Sequence, residues 1–186
     1  MALRPVLQFP DARLKRKSLP VEKVTDELRQ LAADMTEVMY DEPGIGLAAP
    51  QVGEAVRLIV LDTEWTEEGA EKSPLVLVNP EILEREGSAL SHEGCLSVPD
   101  FTADVERARK VRVRGFDLDG NEVVEEVEDL RAFCFQHEID HLDGVLFIDR
   151  ISRLKRSMYV KKRKKALKLE QEEGGGSTGE PAGRAL

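Results

Sequence analysis

Apolar residues along this chain recur with two different periods, and the switches between them divide it into elements. Leu28, Leu31, Ala32, Met35 and Val38 repeat at helical spacing, which predicts a helix over 25–40 with Thr25 or Asp26 as its cap. The Gly- and Pro-rich stretch 43–51 breaks it. Residues 56–61 and 75–78 are short apolar runs that read as buried strands, joined by a polar loop over 62–74. Residues 109–117 and 122–128 alternate apolar with polar, and Asp119-Gly120 between them signals a tight hairpin. Leu130, Phe133, Cys134, His137 and His141 then fall at i, i+3, i+4, i+7 and i+11, a helical stripe that should face the core. Asp129 can cap the start of that helix, and Gly144 sits where a helix commonly stops. A last helix is expected over about 151–170, where Leu154, Met158 and Val160 form a thin apolar stripe under dense positive charge. The Gly-rich stretch 171–186 cannot offset the entropy of folding and is expected to be a disordered tail.

Strands followed by a late helix, with no internal repeat, predict an α+β fold rather than a repeating βαβ one. At 186 residues, 41% of them hydrophobic, the chain suits a compact single domain over 1–170. The N-terminal stretch 1–20 mixes Leu and Pro with Lys and Arg, without the apolar core of a secretory signal or a membrane span, so a cytoplasmic protein is expected. Cys95 and Cys134 do not make a disulfide framework and read as a packed thiol or a ligand. The net charge of −9 conceals an asymmetry. Ten Lys or Arg and no acid lie between Arg150 and Lys168; removing those ten from the 27 basic residues leaves 17 against 36 acidic ones, a balance of −19.

The chemistry is concentrated in His137-Glu138-Ile139-Asp140-His141. Residues four apart on a helix share a face, so the two imidazoles can bind one cation while Glu138 reaches its water. A catalytic metal site usually has a third protein ligand, for which His92, Cys95 and a carboxylate are candidates. One metalloprotease variant needs a third His six residues on, but Phe147 stands there. The Cys95 segment, Ser91 to Pro99, is therefore the stretch of interest. Gly94 permits close backbone approach, and a Cys95 thiolate would be a strong soft ligand.

Three segments, in this order and spacing, resemble the peptide deformylase family: Gly44-Ile45-Gly46-Leu47-Ala48-Ala49-Pro50-Gln51, Glu93-Gly94-Cys95-Leu96-Ser97, and Gln136-His137-Glu138-Ile139-Asp140-His141-Leu142-Asp143-Gly144. The resemblance extends over roughly residues 1–168. It implies an α+β domain, antiparallel strands about a central metal-binding helix, that hydrolyses the N-formyl group of formyl-methionyl nascent chains and releases formate. It also implies one divalent ion per chain held by Cys95, His137 and His141, with Glu138 as general base and acid. Gln51 and the Leu96 N–H would stabilise the tetrahedral intermediate. Ile45, Gly46, Glu93 and Gly94 would flank an extended substrate, and Ile45, Leu130, Phe133 and Cys134 would line the methionine pocket. The family's association with iron implies Fe2+ in the cell; a set of two His and one Cys suits Zn2+, Ni2+ and Co2+ as well.

The sequence departs from many bacterial relatives after Pro99, where Asp100-Phe101-Thr102 stands in place of a basic residue. Arg107 reads either as an anchor for the Cys95 segment or as an exposed strand residue, and His92 as a surface or supporting residue. The basic stretch 150–168 is an electrostatic attraction for phosphate, and the resemblance supplies the ribosome as its partner. A monomer is expected, with neither DNA nor membrane as partner.

Overall fold

The computed structural model describes residues 4–65 and 70–174, in two compact units, Met1–Arg150 and Ile151–Leu186. The first is α+β. Helix α1 (Asp26–Asp41) is followed by strands β1 (Gly46–Ala48), β2 (Leu58–Leu61), β3 (Leu75–Glu86), β4 (Ala89–Cys95), β5 (Val98–Arg107), β6 (Lys110–Phe116) and β7 (Glu122–Glu128), then by helix α2 (Asp129–Leu142). A five-stranded sheet has the order β1-β2-β3-β6-β7, and β4 pairs with β5 in a separate ribbon. Every pairing between these strands is antiparallel.

Helix α1 begins where the spacing predicts, with the Thr25 hydroxyl accepting the Leu28 N–H. Its apolar face packs on Leu47, Leu58, Val60 and Val78, while α2 covers the other face of the sheet through Ala132, Phe135, Ile139 and Leu142 against Ile59, Leu61 and Leu77. Strand β2 is thus buried on both faces, which is why it reads as a continuous apolar run rather than an alternating one.

Several expectations need correction. The stripe of Leu130, Phe133 and His137 does not enter the core: Leu130 is 52% exposed, and Phe133 and His137 are half-buried. Cys134 and His141 of the expected stripe are buried, but the main core face of α2 is Ala132-Phe135-Ile139-Leu142, and Leu130, Phe133 and His137 line a cleft instead. Asp129 does not cap α2; the cap position is Glu128, without a side-chain bond, and the Asp129 carboxylate accepts from Arg109 Nε at 3.0 Å. Gly144 does mark the end. Its φ is +74°, and a Cβ there would stand 2.5 Å from the Lys15 carbonyl oxygen.

Strand β3 continues past Val78 to Glu86. Asn79-Pro80 makes a bulge there rather than an end, with Asn79 at φ +51° and its side chain bonded to both the N–H and the carbonyl of Val21 at 2.8 Å. Periodicity alone does not reveal the β4–β5 ribbon, because the inward positions of β4 are Ser91 and Glu93, polar residues that hide the alternation.

In the second unit, α3 runs over Arg153–Gly174, four residues into the stretch expected to be a tail. Positions 175–186 lie outside the described residues, as do 66–69 of the expected loop. Among the described residues no helix is long and apolar enough to cross a membrane.

Candidate active site

Two elements separated in sequence by β5 and the β6–β7 hairpin bring the chemistry together. Helix α2 supplies His137, Glu138 and His141, and β4 supplies Cys95 as its last residue, held by the tight turn Leu96-Ser97 in which Cys95 pairs with Val98. Cys95 Sγ lies 3.2 Å from His141 Nε2, which in turn lies 3.2 Å from His137 Nε2. All three ligand atoms fall within 4.8 Å of one another. Neighbouring ligand atoms in a tetrahedral shell with ordinary metal–nitrogen and metal–sulfur bonds stand roughly 3.3–3.6 Å apart, so this set of donors fits one cation. The other two candidates for third ligand fall away. His92 is an exposed residue paired with Asp104 at 2.8 Å, and no carboxylate joins the cluster among the described residues.

Supporting charges fix this arrangement. Glu93, on the same face of β4, accepts from His137 Nδ1 at 2.9 Å, which directs Nε2 toward Cys95 and His141. The Arg107 guanidinium clamps both Glu93 oxygens at 2.7 and 2.9 Å and reaches Asp140 at 2.5 Å. Arg150 also pairs with Asp140. Burial alone would raise the Glu93 carboxyl, but the hydrogen bonds from Arg107 and His137 outweigh it and hold the group at about 2. The Arg107 side chain is only 3% exposed, which decides between its two readings: it is an anchor, not a surface strand residue.

Glu138 has the opposite environment. Its carboxylate lies against Gly46, and its Oε2 is buried with no hydrogen-bond partner among the described residues. Burial pushes this carboxyl up to about 7 against the opposing pull of His137. His141 Nδ1 is likewise buried and unpartnered, and burial keeps the imidazole neutral, the form that ligates a metal.

Gln51 sits in a short 3-10 turn, Ala49–Val52, behind β1. Its Oε1 accepts the Ala48 N–H at 2.9 Å, which leaves Nε2 aimed at Ser97 Oγ at 3.2 Å and Cys95 Sγ at 3.6 Å. A cleft of about 760 Å³ opens in front of these groups. Every residue expected to meet substrate, Ile45, Gly46, Glu93, Gly94, Leu130, Phe133 and Cys134, lines it together with Leu96. Glu93 does so with its side chain already committed to Arg107 and His137, so its main chain is the part left to meet a ligand. Burial raises the Cys134 thiol well above its ordinary range, and its Sγ donates to the Ile45 carbonyl at 3.5 Å. Asp100, Phe101 and Thr102 also line the cleft, and Phe101 stacks on Phe147 at 5.9 Å. Sequence reasoning missed Asp140, Ser97 and Gln136; the last ties α2 to the Ala108 N–H and carbonyl. The only signal for Asp140 was a charged residue inside an otherwise enclosed helix.

The model of the family described as polypeptide deformylase matches residues 3–157, a stretch that includes all three segments of the site. The chain belongs to the polypeptide deformylase family. Peptide deformylase of Alkalilimnicola ehrlichii is 51% identical over 179 residues, covering 96% of this chain and 99% of that protein. Peptide deformylase of Afipia carboxidovorans is 54% identical over 170 residues, covering 91% and 98%. The crystal structure of a peptide deformylase from Legionella pneumophila superposes with a TM-score of 0.83 at 42% identity, over 92% of this chain and 99% of that one. As a deformylase the chain is a hydrolase of a metal-dependent family, and Cys95, His137 and His141 are its candidate metal cluster.

Proposed function

We propose that this deformylase removes the formyl group from the N-terminal formyl-methionine of newly made proteins, with Glu138 moving the proton. The observation that carries the reading is a buried, unpaired Glu138 carboxylate beside a Cys95-His137-His141 cluster, with the Gln51 amide facing the same sulfur. Cys95, His137 and His141 would hold a divalent cation, Fe2+ in the cell. When bound, that cation supplies Lewis-acid chemistry, polarising the formyl carbonyl and lowering the pKa of water.

The chain's own residues do the rest. Glu138 accepts a proton from the attacking water as the new C–O bond forms, then delivers it to the departing amine nitrogen as the C–N bond breaks and formate leaves. A carboxyl near 7 suits a group that must both take and return a proton. The Gln51 Nε2–H and the Leu96 backbone N–H donate to the oxygen of the tetrahedral intermediate, and one such donor contributes about 10² to 10³ in rate.

The substrate backbone finds two unpaired strand edges. Among the described residues strand β1 pairs only with β2 and β4 only with β5, so Gly46 on one side and Glu93-Gly94 on the other can each take an extended peptide by strand addition. The methionine side chain enters between Ile45, Leu130, Phe133 and Cys134. The protein works in the cytoplasm as a monomer, and the basic α3 brings it to the ribosome.

The test is formate release from formyl-Met-Ala-Ser by protein prepared without oxygen and supplied with Fe2+, Ni2+ or Zn2+, beside Glu138→Ala. Metal-dependent release that is lost in the variant supports the reading. A metal-loaded protein that releases no formate with any of the three overturns it.

A further inference from the structure

The cleft wall at Gly44-Ile45-Gly46 has little side chain to hold it in place. Whereas a Cβ on Gly46 would meet Glu138 and Cys134, one on Gly44 would find its nearest neighbours at 3.5 Å, ordinary contact, so the Gly44 backbone is not wedged by its surroundings. Hydrogen bonds must locate it. The Gly44 N–H donates to the Met39 carbonyl at 2.9 Å, and the Ile45 carbonyl accepts the Asp62 N–H at 2.9 Å. The Gly44 carbonyl accepts the indole N–H of Trp65 at 3.0 Å.

Trp65 is not among the residues lining the cleft, and it is firmly held. Asp62, 2% exposed, accepts the Trp65 and Glu64 N–H groups at 3.2 Å, the Ser73 N–H at 2.7 Å and the Tyr40 hydroxyl at 2.6 Å. The Trp65 ring meets Tyr40 edge-on at 5.2 Å, and Lys72 Nζ lies 4.3 Å above the Tyr40 ring and 5.7 Å from the Trp65 ring. A carboxylate on its backbone N–H, the Tyr40 ring and the Lys72 cation thus hold one residue whose indole N–H bonds to Gly44. We propose that Trp65 is a positioning residue for substrate binding: its bond to Gly44 fixes the β1 edge on which the substrate backbone pairs. This rests on the reading of the cleft as a formyl-peptide site. Trp65 is also the sole tryptophan of the chain, so its emission reports on that edge alone.

The test is Trp65→Phe, which keeps an aromatic ring against Tyr40 and removes the N–H donor. KM for formyl-Met-Ala-Ser should rise about fivefold, the worth of one neutral hydrogen bond, with kcat within about twofold of wild type. An unchanged KM, or a fall confined to kcat, overturns the proposal. If wild-type protein releases no formate, the functional reading fails and this inference falls with it. Should Trp65→Phe not fold, formyl-Met-Ala-Ser is titrated into Glu138→Gln protein while Trp65 emission is followed. A saturable change supports the proposal, and an emission that does not respond to the peptide overturns it.

Discussion

The Cβ that Gly46 lacks would stand 2.5 Å from Oε1 of Glu138 and 2.8 Å from Sγ of Cys134. The first residue of β1 is therefore a glycine because the carboxylate of α2 occupies the space a side chain would need. The helix and the sheet edge meet at Glu138, so the edge proposed to receive substrate also sets where this carboxylate sits.

Gly46→Ala should consequently be an active-site variant rather than a folding variant. The added methyl has to displace the end of Glu138, and a misplacement of about 1 Å can cost 10²-fold in rate. We expect kcat/KM for formyl-Met-Ala-Ser to fall by about that factor with a melting temperature close to wild type. Activity retained within a few-fold would contradict the contact.

Glu138→Gln keeps the shape of the side chain and removes its ability to accept a proton. The expected loss in kcat is about 10² to 10⁴, the usual range for a general acid–base group. Metal content by plasma emission should stay at the wild-type level, since Glu138 is not one of the clustered donors. A parallel loss of metal would assign Glu138 to binding instead.

Cys95→Ser separates this site from an H-E-x-x-H site that needs no thiolate. A serine hydroxyl stays protonated at neutral pH and is a far poorer ligand than a thiolate, so metal retained after dialysis should drop well below wild type. Full retention would mean that His137 and His141 suffice with some other partner.

Arg107 stands between two buried carboxylates, Glu93 and Asp140, and Arg107→Met leaves Glu93 without its cation. Breaking a buried pair from one side costs about 3–5 kcal/mol. The urea midpoint should fall accordingly, and adding Glu93→Gln should restore part of it, because the two sites share one network. Additive losses in the double variant would show that the two groups act independently.

Helix α3 places Lys161, Lys162, Lys164 and Lys165 within one turn of sequence. Changing all four to Ala should weaken cosedimentation with ribosomes at low salt and flatten its salt dependence, while formate release from a free tripeptide is unchanged. Cosedimentation equal to wild type at every salt concentration would refute ribosome contact through this helix.

Local patterning was enough for the helices α1 and α2, the hairpin β6–β7 and the pairing of His137 with His141 on one helix face. Each of these depends on residues close together in sequence: a repeat of 3.6, an alternation of two, a pair of histidines one turn apart. The resemblance added Gln51 and chose Cys95 from among the candidate third ligands, which no period does. Tertiary structure alone decided which face of α2 is core and which is cleft, because that depends on what covers the helix from the other side. It also decided that Arg107 is buried, that Glu93 serves His137 with its side chain, and that β4 is a strand although its inward positions, Ser91 and Glu93, are polar. In each case the deciding partner lies far away in the chain, and the energy of a buried charge is set by that partner rather than by its neighbours in sequence.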